Sequence, residues 1–153
     1  MRIAFLCVGR LTGPEAKLSL DYAARATAAG RTLGMGPVEI VEVEGRKPGV
    51  AAEADAILAR VADGHLIACD ERGAARTSRE FAQHIGRLRD DGARRLVFAI
   101  GGADGLDARV LAAARERVAF GPQTWPHALA RAMLAEQVYR AVTILGGSPY
   151  HRD

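Results

Sequence analysis

The chain is poor in the residues from which several common kinds of site are built. Cysteine occurs twice in 153 residues, at Cys7 and Cys69, each inside an apolar run. Neither has the close pairing of a CxxC redox motif or the spacing of a zinc site, so both read as small core residues and no metal is expected. Lysine also occurs twice, at Lys17 and Lys47; neither follows a glycine loop, which excludes a Walker A phosphate cradle. A G-x-G-x-x-G fingerprint is missing after the first apolar run, where Gly9-Arg10-Leu11-Thr12-Gly13 stands, and there is no G-x-S-x-G elbow. No apolar run approaches the ~18 residues of a membrane span, and residues 1–8 are too short for a signal peptide, so no membrane partner and a cytoplasmic location are expected. Repeats, low-complexity segments and inter-domain linkers are lacking as well. The length fits a single domain, residues 1–153, able to bury about two-thirds of its unfolded surface.

What is present is an alternation of strand and helix patterns. Residues 3–8, IAFLCV, and 96–100, LVFAI, are uninterrupted apolar runs of the kind found in strands covered on both faces. Residues 38–43 and 66–69 supply two further strands, with Glu39 and Glu42 near an exposed edge, and residues 118–120 a short fifth. Between them, Pro14 starts a helix with Leu18, Tyr22 and Ala26 on one face, and a second helix at about 50–62 turns Ala54, Ile57, Leu58 and Val61 inward. Thr77 and Glu80 have the spacing of a capping box ahead of Phe81, Ile85 and Leu88. Asp107 caps a short helix carrying Val110 and Leu111. A long helix spans about 128–145, with Met133, Leu134, Val138, Ala141, Val142 and Leu145 as its apolar residues. This order predicts an α/β fold with a mostly parallel sheet and helices on both faces.

Three polar or glycine-rich segments should meet at the carboxyl ends of those strands, where parallel sheets collect ligands: Cys69-Asp70 with the following Glu71-Arg72-Gly73, the glycine loop after Ile100, and residues 120–125. Gly101, Gly102 and Gly105 either let a ligand approach the backbone or simply make a tight turn. Nineteen of the twenty-one basic residues are arginine, against a net charge of +3, and seven arginines face three acids between residues 72 and 95. Arginine grips phosphate bidentately, which suits an RNA partner, although a solvated helix face has the same composition.

IGGADG, then TWPHALARAMLAEQVYRA and the terminal PYHRD, together resemble the ribosomal RNA large subunit methyltransferase H family, small methyltransferases of the SPOUT class. The resemblance covers the whole chain and is strongest from residue 96 onward. It implies a trefoil knot in the carboxyl-terminal part, a homodimer with its site formed between subunits, and S-adenosylmethionine as cofactor. It places the cofactor against Cys69, Gly101 and Gly102, and against Phe120, Gly121, Pro122, Gln123, Thr124 and Trp125. Family members often have Leu in place of Cys69 and Ser-Ala or Ser-Lys in place of Pro122-Gln123, so side-chain contacts there are open. The implied reaction is methylation of N3 of a pseudouridine in a hairpin loop of 23S ribosomal RNA, on the assembled ribosome. The N3 proton must be lost, which calls for a base. His151 is the first choice, with Tyr150 and Arg152 positioning the RNA; His127 and Glu136 are the others, and His127 alternatively caps the last helix. A ribosome- or RNA-binding protein that keeps the fold without the transfer, and a SPOUT methyltransferase of tRNA, are the competing readings. Stoichiometric cofactor binding separates the first of these from an enzyme.

Overall fold

In the computed structural model, which describes residues 1–151, strands and α-helices alternate: β1 (Arg2–Val8), α1 (Pro14–Gly30), continued by a 3-10 turn at Arg31–Leu33, β2 (Val38–Val43), α2 (Val50–Val61), β3 (His65–Ala75), α3 (Ser78–Asp90), β4 (Arg95–Ile100), α4 (Ala108–Ala113), β5 (Glu116–Ala119) and α5 (His127–Leu145). The strands form one sheet in the order β2-β1-β4-β3-β5, every neighbouring pair parallel. β1 and β4 lie inside it, which explains why both are apolar at consecutive positions. Ile3, Phe5 and Cys7 face one side together with Leu96, Phe98 and Ile100, under α1, α3 and α5. Leu6, Val8, Val97 and Ala99 face the other, with Ala54 and Ile57 of α2 and Val110 of α4. Phe5 and Phe98 meet edge to face with ring centroids 5.8 Å apart; burying side chains of this size contributes about 1.5–3 kcal/mol each.

The helix starts agree with their capping residues. Thr77 and Glu80 form the expected box, Glu80 N donating to Thr77 Oγ1 at 3.2 Å and Thr77 N to Glu80 Oε2 at 2.8 Å. Asp107 accepts from Arg109 N at 2.8 Å. At the far end of the sheet, Glu116 at the start of β5 accepts from His65 at 2.9 Å, His84 at 2.7 Å and Arg76 at 3.0 Å, tying the short edge strand to β3 and α3. Burial works to raise the Glu116 carboxyl, but these three donors outweigh it and hold the group below its ordinary value.

Three expectations need correction. Leu18 is not on the buried face of α1; it is 47% exposed, and the stripe against α5 is Ser19, Ala23, Ala26 and Gly30. Small side chains win there because they let the two helices approach closely. Residues 70–73 do not leave the sheet as a turn. β3 continues through them to Ala75, and its pairing with β5 slips between Cys69 and Ala74, where a bulge absorbs the polar residues. His127 does not cap α5: it is the first helical residue, Pro126 occupies the cap, and no side chain closes the helix start.

Candidate active site

A cleft of about 440 Å³ opens at the ends of β4 and β5, beside the bulge of β3, within the usual range of small-molecule sites. Its lining is apolar at Ile100, Leu106, Leu111 and Val118 and charged with both signs, Asp70, Glu71 and Asp104 together with Arg72 and Arg117, beside backbone of the glycine loop.

The glycine loop owes its glycines first to its own geometry. Gly102 and Gly105 face each other in an antiparallel bridge, with Gly105 N donating to Gly102 O at 3.1 Å. Gly105 has φ +75°, and a Cβ on Gly101 would lie 2.3 Å from Gly105 O. Gly102 is closed in by Val8, whose Cγ1 would stand 3.2 Å from an added Cβ. The tight-turn reading therefore accounts for Gly101 and Gly105, while the exposed backbone beside them still lines the cleft. Opposite, residues 120–126 form a stapled loop: Trp125 Nε1 donates to Phe120 O at 3.1 Å, and Thr124 Oγ1 donates to Glu71 Oε2 at 2.9 Å, fastening the loop to the β3 bulge.

Cys69, Gly101, Gly102, Phe120, Gln123, Thr124 and Trp125 all line this cleft, as does His127. Gly121 faces a second groove instead, and Pro122 lines neither. Burial raises the Cys69 thiol, with a smaller push from Cys7, and burial pushes Cys7 up to about 12 against the pull of Arg131. Neither is a thiolate near neutral pH, in keeping with cysteines that pack.

Glu136, Tyr150 and His151 are elsewhere. After Gly147, at φ +68°, the chain folds back on α5. Tyr150 OH donates to Glu136 Oε1 at 3.1 Å and its ring stands 4.6 Å from that of Tyr139. Arg140 donates twice to the same carboxylate oxygen, at 2.9 and 2.5 Å, and its guanidinium lies 5.0 Å from the Tyr150 ring centre. Burial, a hydrogen bond with Tyr22 and the Glu136 charge all raise the Tyr150 phenol, so it stays protonated and acts as a donor. His151 Nδ1 is 3.3 Å from Arg140 Nη1. A guanidinium only donates, so Nδ1 is the acceptor and a neutral ring carries its proton on Nε2. Arg152 lies outside the described residues.

The tail cluster borders the second groove, about 560 Å³, which includes Leu18, Tyr22, Phe81, Leu129, Met133 and Glu136. Phe120 lines both hollows and so forms part of the wall between them. Leu18, Leu20 and Leu129 are 47%, 61% and 40% exposed on α1 and α5. The basic run has internal duties: Arg76 binds Glu116, Arg89 binds Asp90 and Leu33 O, and Arg95 binds two carbonyls at the end of α2. Leu106 and Arg117 of the cleft are absent from the sequence expectations, and Asp104 and the buried Arg131 of α5 stand there only inside the quoted motifs, with no role given. Arg131 was detectable, because it shares the helical stripe of Leu134, Val138 and Val142.

Among the described residues no helix is long and apolar enough to cross a membrane, and no group of three metal-ligating side chains could hold an ion. The family model described as "Predicted SPOUT methyltransferase" matches residues 1–151, so the fold is that of a SPOUT-class methyltransferase. The chain is similar to a solved probable methyltransferase from Bordetella pertussis Tohama I, with TM-score 0.53 at 22% identity over 92% of this chain and 95% of that one; this likeness is one of fold. Among curated proteins it is 70% identical to "Ribosomal RNA large subunit methyltransferase H" of Phenylobacterium zucineum (strain HLK1), over all of both chains. It is 68% identical to the protein of that name from Caulobacter sp. (strain K31), again over all of both, and 65% to that of Caulobacter vibrioides, over all of this chain and 99% of the other. The chain belongs to the ribosomal RNA large subunit methyltransferase H family, and it is an enzyme of the methyltransferase kind.

Proposed function

We propose that this protein transfers a methyl group from S-adenosylmethionine to N3 of a pseudouridine in a hairpin loop of 23S ribosomal RNA, in the cytoplasm and on the assembled ribosome, as a homodimer. The observation that carries the reading is the 70% identity, over its full length, to a relative named for large-subunit ribosomal RNA methylation. The knotted threading of the carboxyl-terminal part is included in it.

The cleft fits the cofactor. Ile100, Leu106, Leu111 and Val118 offer an apolar seat for a purine, the glycine-loop backbone offers hydrogen bonds, and the carboxylates of Asp70 and Asp104 suit a sulfonium. Bound there, the cofactor supplies an electrophilic methyl group. The protein's task is then to hold the nucleobase in line with it and to take the N3 proton. His151 is the proton acceptor of this reading, with Tyr150 stacking on an unstacked loop nucleotide and Arg152 pairing with its phosphate. On its own protomer the tail is separated from the cleft, and Arg140 engages the His151 nitrogen that would take the proton. The reading therefore requires His151 to leave Arg140 and serve the cleft of a second subunit. Leu18 and Leu129, exposed on the groove that also includes Glu136, give that subunit an apolar surface to cover. A second reading for the base is His127, which already lines the cleft.

The test is methylation of ribosomes, and of separated subunits, with labelled S-adenosylmethionine, followed by mapping of the modified nucleotide. Label at one pseudouridine of 23S RNA is expected. Cofactor binding without transfer to any ribosomal substrate, or transfer to tRNA instead, would overturn the assignment.

A further inference from the structure

Among the described residues Arg131 is the one buried charged side chain, 3% exposed on the stripe of α5 that packs against the sheet. Its Nη1 donates to Glu42 Oε1 at 3.0 Å and its Nη2 to Gly9 O at 3.2 Å, while the buried Nε has no hydrogen-bond partner among the described residues. Glu42 Oε1 also accepts from Leu11 N at 2.8 Å, and Gly9 N donates to Val43 O at 3.0 Å. One guanidinium thus ties α5 to the chain leaving β1 and to the end of β2. Burying a cation with an unsatisfied nitrogen is costly, and an apolar side chain would fill the same place without that cost. What the tie holds is the cleft. His127 and Ala130, in the turn just before Arg131, line one wall. At the other end, Gly9 follows Val8, whose Cγ1 packs behind Gly102 of the glycine loop.

Resting on the reading that this cleft takes S-adenosylmethionine, we infer that Arg131 is a positioning residue for cofactor binding: through Gly9 and Glu42 it fixes the first turn of α5 relative to the strand that backs the glycine loop, so that the two walls keep their spacing before the cofactor arrives. A side chain that merely stabilised the fold would lower the unfolding temperature and leave affinity unchanged well below it.

The experiment is calorimetric titration of S-adenosylmethionine into the full-length protein, far below each variant's unfolding midpoint. Arg131→Met keeps the apolar stem and loses both donors; its Kd should rise roughly tenfold, the scale of a small misplacement of binding groups. Arg131→Lys, with one ammonium for two acceptors, should fall between. Glu42→Gln, which keeps an oxygen acceptor, should stay within about twofold, whereas Glu42→Leu should weaken binding, and Glu42→Leu with Arg131→Met should be no worse than Arg131→Met alone, since both break one tie. A folded Arg131→Met variant with the wild-type Kd, or losses that multiply in the double variant, would overturn the inference. Should Arg131→Met fail to fold, Glu42→Leu decides: wild-type affinity there overturns it equally. Wild-type protein that binds no S-adenosylmethionine would instead overturn the functional reading on which this one rests.

Discussion

The cleft beside the β3 bulge and the ends of β4 and β5 is an open hollow that combines the glycine-loop backbone with apolar and charged side chains, whereas the tail is a group of side chains, Glu136, Arg140, Tyr150 and His151, that occupy one another on α5. The described tail residues Tyr150 and His151 are engaged with Glu136 and Arg140 of α5, and Glu136 shares its groove with the exposed Leu18 and Leu129. In the proposed function the cleft binds the cofactor, the tail takes the proton, and a second copy joins the two.

The largest expected effect comes from separating the two regions by deletion. Removing residues 150–153 should lower methyl transfer by more than about 100-fold, the scale of a lost acid–base group, while calorimetry gives a cofactor Kd within about twofold of wild type. Turnover at the wild-type rate would make the tail idle and move the proton to His127 or Glu136.

A smaller effect, confined to the other region, should follow from the glycine loop. Gly101→Val places a Cβ against Gly105 O, at 2.3 Å in the present geometry, so the bridge between Gly102 and Gly105 must open. Cofactor affinity should fall roughly tenfold or more, as for displaced binding groups, while the far-ultraviolet dichroism of the fold is kept. Gly102→Ala meets Val8 Cγ1 at 3.2 Å, a milder contact than that of Gly101 with Gly105 O, and should cost less. Equal affinity in all three proteins would dissociate the loop from the cofactor.

The smallest effect belongs to neither region and serves as a control. Glu116 is held below its ordinary value of 4.5 by His84, His65 and Arg76 despite its burial. A depressed folded value means that the contribution is fully present above the unfolded value and is lost as pH falls through the folded one. Denaturant titrations should show Glu116→Gln less stable than wild type by about 1–2 kcal/mol at pH 7, the gap closing as pH drops below 4.5. A gap that widens on acidification would contradict the assignment of the three donors.

The same contrast explains what could be read in the sequence. β1 and β4 were legible because both of their faces are buried, and the starts of α3 and α4 because Thr77, Glu80 and Asp107 cap locally. The rim of the cleft was legible from where apolar runs stop. Residues 70–73 were misread because a bulge lets polar residues stay within a strand, and Leu18 because a helix face is chosen by how closely α5 approaches, which residue size decides and hydrophobicity alone does not. Arg131 and the tail depend on partners far along the chain, Gly9 and Glu42 for the one, Tyr22 and Glu136 for the other. Periodicity carries no such pairing, and the tail's role came only from the family resemblance.

The central claim, that the tail of one subunit completes the cleft of the other, is tested most directly by mixing two impaired proteins, assayed at a cofactor concentration that fills the wild-type cleft and leaves the Gly101→Val cleft largely empty. A chain with Gly101→Val keeps its tail, and a chain ending at residue 149 keeps its cleft. Refolded together in equal amounts, half of the dimers should pair one of each and carry one working site of two, giving about a quarter of the wild-type methylation of ribosomes by simple counting over a two-fold dimer. Recovery near that level is the result the account predicts. Activity no higher than that of the two parents, in mixtures shown by mass to contain the mixed dimer, would contradict it.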